Sequence, residues 1–374
     1  MPGTITPIVM PKWGLSMKEG TVTRWIVQEG DEIAVGNEIV EIETEKIASA
    51  LEATDSGLLR RLVAEEGDLL PVKALLGVLV EGEVSDDEID AFVEGFVVPE
   101  DDDEDDEEEL GPAYLYAETA AGRLRYTSQG EGAETVLLVH GFGGDLDNWL
   151  FNIDALAAES TVVALDLPGH GPSPTPIPDP SVPGLANAVL EFMDAADVGA
   201  AHLVGHSLGG AIALALAASA PGRVRSVTLV CPAGLGPDIN RDYIDGFVSS
   251  ASRRQLKPVL ENLFADAGLV NRSLVDGVLR YKRLDGVTES LTALADGVFP
   301  GGAQSWVEPG LIAGLEAPAL VIFGAEDRIV PASHADAASG ATVEIVDGAG
   351  HMVQMEAAPR VNSLISAHIA RAAG

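Results

Sequence analysis

An uninterrupted run of ten acidic side chains, residues 100–109, constrains this 374-residue chain more than any other feature of its sequence. Such a run has no apolar surface to bury, and its charges repel one another into an extended, solvated segment. We therefore interpret the run as a linker that separates two domains. The stretch on either side of it is long enough to bury a hydrophobic core of its own.

The charge balance narrows the choice of partners. The formal net charge of −37 predicts repulsion from nucleic acids and from anionic membrane surfaces, so we expect neither as a partner. The first residues lack the pattern of a secretory signal, and Cys231 is the only cysteine, so we expect a cytoplasmic protein. The acidic surplus has two open explanations, which are adaptation to high salt and ordinary drift in composition.

An internal repeat organises the N-terminal part. Residues 20–31 recur 37 positions later as residues 57–68, with glycine, arginine, glutamate, glycine and aspartate in register. Each copy predicts a short strand that ends in a Glu-Gly-Asp turn, where glycine supplies the positive φ of a tight reversal. Two copies at this period are too few for a solenoid and predict a small, flattened all-β barrel.

Lys46 lies between the two copies, in Glu-Thr-Glu-Lys-Ile-Ala, near the tip of a predicted hairpin. This motif, the repeat and Met-Pro-Lys-Trp-Gly-Leu-Ser-Met-Lys-Glu-Gly at residues 10–20 resemble a lipoyl domain of 2-oxoacid dehydrogenase complexes over residues 2–82. The resemblance implies lipoate in amide linkage on Lys46. The alternatives are a biotin carrier, which typically has methionines on both sides of its lysine, and an unmodified surface lysine.

A capping-box pattern at Ser85 and Glu88, followed by apolar residues at helical spacing, predicts a short helix. We expect it to pack on the carrier barrel. The expected organisation is a lipoyl-type carrier domain at residues 1–82, a helix and acidic linker at 83–112, and a second domain at 113–374.

The second domain alternates short, valine-rich runs with helical segments, which predicts an α/β fold whose sheet is covered on both faces. From about residue 232 to residue 309 the alternation gives way to helical runs with aromatic residues, and we expect a helical cap there. The predicted strands are 135–139, 161–165, 201–204, 224–230, 319–323 and 342–346, and the predicted helices are 182–195, 208–219 and 357–372.

Ser207 stands in Gly-His-Ser-Leu-Gly between a predicted strand and an alanine-rich helix, and the flanking glycines permit a sharp turn that exposes the hydroxyl. Serine needs a base to accept its proton and a carboxylate to orient that base. Asp327 follows a predicted strand, and His351 lies in a glycine-rich loop after the next one. We predict these three as a catalytic triad, with Glu326 as the competing carboxylate.

A glycine-rich segment, His-Gly-Phe-Gly-Gly, follows an early strand and allows close approach of its backbone to a substrate. We predict that the amides of Phe142 and Leu208 stabilise a developing oxyanion. His140 and His206 are interpreted as scaffold histidines, and His170 as a residue that shapes a turn. No metal site is predicted.

These motifs are similar to those of α/β-hydrolases over residues 113–372. A lipoyl domain, an acidic linker and an α/β-hydrolase in one chain resemble the dihydrolipoamide acetyltransferase components of acetoin dehydrogenase complexes. The His-x-x-x-Asp-Gly signature of ordinary acyltransferases of such complexes is missing, since none of the five Asp-Gly pairs has histidine four residues earlier. From the two resemblances we expect a multidomain fold, in which a flattened barrel is followed by an α/β-hydrolase with a helical cap.

The resemblance implies a transferase that moves acetyl from a lipoyl-lysine thioester to coenzyme A. It further implies an oligomeric complex with a thiamine-diphosphate-dependent acetoin-cleaving component and a dihydrolipoamide dehydrogenase. Two alternatives stay open. One is a tethered thioesterase or esterase that releases free acid, and the other is a lipoyl carrier and scaffold subunit without catalytic activity.

Overall fold

The computed structural model describes residues 4–13, 17–44, 48–82, 84–98, 114–173 and 177–373. The chain divides into two compact units, one of residues 1–111 together with residues 271–277 and the other of residues 112–270 and 278–374. We call them the N-terminal and C-terminal units, and the helix Arg272–Lys282 is described with the second unit although its first residues group with the first. Lys46 and the acidic run at 100–109 lie outside the described residues.

The N-terminal unit is an all-β structure, which confirms the predicted flattened barrel. Its described strands are β1 (Thr4–Val9), β2 (Glu19–Trp25), β3 (Glu32–Ile33), β4 (Glu38–Glu43), β5 (Ala48–Glu52), β6 (Gly57–Leu62), β7 (Leu69–Pro71) and β8 (Leu75–Glu81). They form two four-stranded antiparallel sheets in the orders β1-β8-β6-β3 and β5-β4-β2-β7. Side chains that alternate inward along these strands, such as Val22, Ile42 and Leu59, form the core between the sheets.

The sequence repeat corresponds to reciprocal contacts between the two halves of this unit. Glu66 accepts a hydrogen bond from the backbone N–H of Trp25 at 3.1 Å, and Glu29, the equivalent residue, accepts one from Leu62 at 2.8 Å. In each Glu-Gly-Asp turn the aspartate side chain accepts a hydrogen bond from a backbone N–H of the same turn. The glycine of each turn has a positive φ, which is 98° at Gly30 and 99° in the second copy. The repeated glutamates therefore join the halves.

Helix α1 (Asp86–Gly95) begins with the predicted capping box, which the structure confirms. Ser85 donates its backbone N–H to Glu88 at 2.9 Å, and Ile89 is buried beside core residues of β8. Ion pairs connect Arg60 to Asp86 and a neighbouring arginine to Asp90. The helix therefore packs on the β1-β8-β6-β3 sheet, as expected.

The C-terminal unit has a mixed sheet with helices between its parallel strands. Its described strands are β9 (Leu115–Thr119), β10 (Gly122–Gln129), β11 (Thr135–Val139), β12 (Thr161–Leu165), β13 (Ala201–His206), β14 (Val224–Val230), β15 (Ala319–Gly324) and β16 (Thr342–Val346). Its described α-helices are α2 (Ile153–Ala157), α3 (Val182–Ala195), α4 (Leu208–Ser219), α5 (Arg241–Ser249), α6 (Arg253–Leu260), α7 (Arg272–Lys282), α8 (Val287–Val298), α9 (Gly310–Gly314), α10 (Val353–Glu356) and α11 (Ala358–Ala373).

The strand order is β9-β10-β12-β11-β13-β14-β15-β16, with β9 and β10 antiparallel and the strands from β12 to β16 parallel. The predicted α/β fold is confirmed. The next two strands, β12 and β13, lie on opposite sides of β11, and in open parallel sheets the carboxyl ends of the strands at such a reversal of order are where ligands bind. In the parts of the chain that the structure describes, each helix is too short or too polar to cross a membrane.

The sequence analysis missed the hairpin of β9 and β10. These strands carry exposed residues between buried ones instead of the continuous apolar runs of the central strands, because they form one edge of the sheet. The hairpin matters for the site, since Arg125 on β10 is the partner of a buried carboxylate described below.

Candidate active site

Ser207 occupies a strained turn between β13 and α4. Its φ of 54° and ψ of −116° lie outside the regions that ordinary residues favour. The flanking glycines are required by contact, because a Cβ at Gly205 would lie 2.1 Å from the carbonyl oxygen of Gly209, and one at Gly209 would lie 2.2 Å from that of Val139. The turn thus places Ser207 at the carboxyl end of the central strands.

Asp327 and His351 come together from two loops at the same edge of the sheet. His351 Nδ1 lies 2.7 Å from Asp327 Oδ2, and both side chains are buried. The other oxygen of Asp327 accepts the backbone N–H groups of Ile329 and Val330 at 2.8 and 3.0 Å. These bonds fix the carboxylate, which in turn orients the imidazole. The side chain of Glu326, the competing carboxylate, is exposed.

His206 connects the nucleophile turn to the loop of His351. Its Nε2 lies 2.9 Å from the backbone oxygen of His351, and the two rings are 4.7 Å apart between centroids. Because a carbonyl only accepts, Nε2 of His206 carries the proton. Burial, and then the nearby His351, lower the pKa of His206 well below its usual value, so it stays neutral. A buried, neutral ring that bonds a backbone oxygen agrees with the interpretation of His206 as a scaffold residue.

The predicted oxyanion donors flank Ser207. Leu208 is the first residue of α4, where helix N–H groups lack partners within the helix and the dipole favours negative charge. On the other side the segment after β11 touches the serine, since a Cβ at Gly141 would lie 2.9 Å from Ser207 Cβ. Phe142 is the next residue in that segment. The fold therefore brings both predicted amides to the neighbourhood of the nucleophile.

Two buried histidines fix the segment that contains Phe142. His140 Nε2 accepts the N–H of Leu167 at 3.0 Å, and His170 Nε2 accepts the N–H of Gly143 at 3.1 Å. An accepting Nε2 leaves the proton on Nδ1, so both rings are neutral in this arrangement. Burial lowers the pKa of His140 to about 4 and that of His170 to about 3. Their interpretation as scaffold and turn residues agrees with these contacts.

A buried ion pair below this segment was missed by sequence reasoning. Arg125 Nε donates to Asp166 Oδ2 at 2.5 Å, and the other oxygen of Asp166 accepts the N–H of Leu146 at 2.8 Å. Burial raises the pKa of Asp166 to about 7, against the opposing effect of Arg125. Asp166 directly follows β12, whereas Arg125 lies on the edge hairpin, which the sequence pattern did not predict.

Glu356 is a second missed residue, and it holds the backbone next to His351. One of its oxygens accepts the N–H of Gly350 and the other that of Ala265, both at 2.7 Å. Burial raises the pKa of Glu356. The carboxylate therefore joins the loop of His351 to the segment after α6.

Cys231 was treated only as an indicator of compartment, yet it lies beside the Asp327–His351 pair. The sulfur of Cys231, a carboxylate oxygen of Asp327 and a ring nitrogen of His351 all lie within 4.8 Å of one another. Cys231 is fully buried. Burial, followed by the charge of Asp327, raises the pKa of the thiol well above its usual value. A protonated thiol in this position is a packing group and not a nucleophile.

The region predicted as a cap supplies aromatic side chains above the segment that contains Phe142. The ring of Phe142 makes edge contacts with Phe247 of α5 and with Phe299 after α8, at centroid distances of 5.8 and 5.9 Å. All three rings are buried. The surroundings of the predicted oxyanion donor are therefore apolar on this side.

In the N-terminal unit the strands that flank the predicted modification site are well defined. Glu43 of β4 pairs with Ala48 of β5, and Lys46 falls in the sequence between them. Lys46 itself lies outside the described residues.

The second unit has the fold of the α/β-hydrolase class, and it places the predicted nucleophile, carboxylate and base after β13, β15 and β16. A family model described as the alpha/beta hydrolase fold matches residues 134–358, and one described as biotin-requiring enzyme matches residues 6–79. Among solved structures, a meta-cleavage product hydrolase from Pseudomonas fluorescens has a TM-score of 0.64 at 26% identity, over 69% of this chain and 98% of that one.

Two curated relatives match over the whole chain. The dihydrolipoyllysine-residue acetyltransferase component of the acetoin cleaving system from Cupriavidus necator is 56% identical, with 98% of each chain covered. The protein of the same name from Pseudomonas putida is 48% identical, also with 98% of each covered. The chain belongs to the family of dihydrolipoyllysine-residue acetyltransferase components of acetoin cleaving systems, as the resemblance implied.

Proposed function

We propose that this enzyme transfers acetyl from a lipoyl-lysine thioester to coenzyme A through a covalent intermediate on Ser207. The observation that carries the proposal is the strained serine turn beside the 2.7 Å contact of His351 with Asp327. The full-length similarity to acetyltransferase components of acetoin cleaving systems supports the substrate. Asp327, His351 and the amides of Phe142 and Leu208 complete the proposed site.

We propose Lys46 as the attachment point of lipoate. A lysine amine between β4 and β5 suits an amide bond to the lipoate carboxyl, and the pairing of Glu43 with Ala48 supports this placement. When attached, the reduced group supplies a thiol that carries acetyl as a thioester substrate. Tethering raises the local concentration of that substrate, so a weak intrinsic affinity suffices.

In the first half-reaction, His351 Nε2 takes the proton of Ser207 as Oγ attacks the thioester carbonyl carbon. The Phe142 and Leu208 amides stabilise the negative charge that develops on the carbonyl oxygen. The carbon–sulfur bond then breaks, and His351 gives its proton to the leaving thiolate. The product is an acetyl ester of Ser207.

In the second half-reaction, His351 accepts the proton of the coenzyme A thiol, whose sulfur attacks the ester carbonyl of acetylated Ser207. The carbon–oxygen bond breaks, and Oγ recovers its proton from His351. Asp327 stabilises the imidazolium in both halves and keeps the ring in one tautomer, since its other oxygen is fixed by two backbone N–H groups.

The proposed setting is an oligomeric cytoplasmic complex. A thiamine-diphosphate-dependent acetoin-cleaving enzyme would load the carrier, and a flavin-dependent dihydrolipoamide dehydrogenase would reoxidise it. The names of both full-length relatives, which describe components of an acetoin cleaving system, support such partners.

The decisive experiment compares Ser207→Ala with Ser219→Ala, a change at the exposed end of the same helix. Each variant is given acetyl-dihydrolipoamide and coenzyme A, and acetyl-coenzyme A and free acetate are measured separately. We expect Ser207→Ala to lower transfer at least about 10³-fold and Ser219→Ala to leave it unchanged. Undiminished transfer by Ser207→Ala would contradict the catalytic role and favour a carrier and scaffold subunit.

A thioesterase is the second candidate, favoured by the similarity of the catalytic unit to a hydrolase of known structure. It uses the same acetyl ester of Ser207 but passes the acetyl group to water. Acetate that forms at the same rate with and without coenzyme A would support this candidate over transfer.

A further inference from the structure

Lys282, the last residue of α7, is a buried lysine that neither the sequence analysis nor the proposed mechanism uses. Its side chain is 8% exposed. Nζ donates to the backbone oxygens of Phe247, Val248 and Ser250, the last two at 3.3 and 2.5 Å. These carbonyls lie at the end of α5, where a helix leaves its acceptors unpaired and favours a positive charge. The three donors of one ammonium thus close that helix end.

The same lysine is placed against the ring of Phe247. Nζ lies 5.4 Å from the ring centroid, within the range of a cation–π interaction. Phe247 is 2% exposed. Because Lys282 bonds the backbone of Phe247 and also faces its ring, it fixes both the position of the residue and the orientation of the side chain.

Phe247 in turn packs directly on the backbone of the segment that holds the proposed oxyanion donor. A Cβ at Gly143 would lie only 2.4 Å from the ring, so there is no space between ring and backbone. Gly143 has φ of 71°, and its N–H is held on another side by His170 at 3.1 Å. The peptide that follows Phe142 is therefore confined by His170 and Phe247.

We infer that Lys282 is a positioning residue for acyl transfer, which acts through Phe247 to fix Gly143 and thereby to hold the adjoining Phe142, whose own N–H lies in the preceding peptide, where that N–H meets the developing oxyanion. The inference rests on the proposed function of Ser207 and Phe142 and extends it to a residue in α7. An oxyanion donor acts mainly in the transition state, so its displacement lowers kcat more than it raises KM.

The test uses p-nitrophenyl acetate as acyl donor and two ketone inhibitors. A trifluoromethyl ketone adds to the serine and forms an oxyanion, whereas the matched methyl ketone binds without this charge. For Lys282→Met we expect kcat to fall about tenfold with KM within twofold, and the trifluoromethyl ketone to bind about tenfold more weakly. The methyl ketone should bind equally well.

Three further variants make the test specific. Lys257→Met removes a lysine of α6 that is 51% exposed, and it should leave all four quantities unchanged. Lys282→Arg retains the charge and should recover most of the lost kcat. Phe247→Leu should reproduce the selective loss of trifluoromethyl ketone affinity, and it reports on the same link if Lys282→Met fails to fold.

Lys282→Met with a native melting temperature and unchanged kcat would overturn the inference, and so would equal weakening of both ketones. The ester assay needs neither coenzyme A nor lipoate. A chain that releases acetate instead of transferring it would therefore contradict the proposed transfer and leave the expected Lys282 effect in place. Retention of ester turnover by Ser207→Ala would overturn both.

Discussion

The two units place their proposed reactive groups in opposite settings. In the C-terminal unit the side chains of the proposed triad are buried, and they come from segments after β13, β15 and β16. In the N-terminal unit Lys46 falls between two strands that are adjacent in sequence, with Glu43 paired to Ala48. A carrier needs only a local hairpin, whereas acyl chemistry needs groups that converge from distant parts of the chain. The following predictions test how independent the two settings are.

The largest expected effect is on the carrier. Lys46→Arg keeps the charge but cannot form the amide with lipoate, so acetoin-dependent formation of acetyl-coenzyme A should be lost entirely. Turnover of p-nitrophenyl acetate should stay within twofold, because Ser207 needs no carrier for a free ester. Intact mass after expression with a lipoate-attaching system should show the added group in the parent protein and in Lys18→Arg, but not in Lys46→Arg. Modified Lys46→Arg would assign the carrier site elsewhere.

The next effect is on the triad. Asp327→Asn should lower kcat about 10⁴-fold, because the amide no longer stabilises the imidazolium of His351 or fixes its tautomer. Glu326→Gln, the change at the neighbouring exposed carboxylate, is the matched control and should stay within twofold. Steady-state kinetics with p-nitrophenyl acetate measure both. The reverse pattern would assign the orienting role to Glu326, and lipoyl attachment should be unaffected in either variant.

Lowering the pH should destabilise the C-terminal unit more than the N-terminal unit. All seven histidines follow residue 112, and three of them, His140, His170 and His206, are fully buried with lowered pKa values. A group with a lowered folded-state pKa contributes stability that is present above the unfolded value of about 6.5 and is lost as pH falls toward the folded-state pKa, which is about 4 for His140 and about 3 for His170. Each of these histidines should therefore lower the stability of the C-terminal unit as pH falls below 6.5, by at most roughly 1.4 kcal/mol per pH unit. The raised pKa values of Asp166 and Glu356 act in the opposite direction.

Hydrogen exchange at pH 7.5, 6.5 and 5.5 would measure each unit separately. The N-terminal unit has no histidine and should keep its protection over this range. Equal loss of protection in both units would show that the buried histidines are not the cause.

The smallest effect concerns the helix on the carrier. Ser85→Ala removes the side-chain half of the capping box of α1 and should lower the stability of the N-terminal unit by about 1 kcal/mol. Glu94→Ala, at the exposed end of the same helix, should leave the stability unchanged or raise it by a few tenths of a kcal/mol, because alanine has the higher helix propensity and acidic side chains are unfavourable at a helix C-terminus. Urea unfolding measures both. Ester turnover should not change, and a parallel loss of turnover would show that the two units are coupled in stability.

The sequence predicted the elements whose signals are local. The strand that precedes Ser207, the helix that follows it and the two Glu-Gly-Asp turns were all placed within a few residues, because each is specified by consecutive apolar positions or by glycines at fixed spacing. The edge hairpin of β9 and β10 escaped prediction, since half-exposed strands carry a weak apolar pattern.

The sequence by itself therefore determined the class of both units, and it supplied the residues proposed as nucleophile, carboxylate and base and the lysine proposed for lipoate. Only the tertiary structure decided which side chains hold the residues and backbone segments around the proposed site in position. Arg125 on Asp166, Glu356 on Gly350, and Lys282 on the end of α5 are pairs far apart in sequence. The physical reason is that a buried polar group must find its partner in space, and no local pattern of residues encodes where that partner will lie.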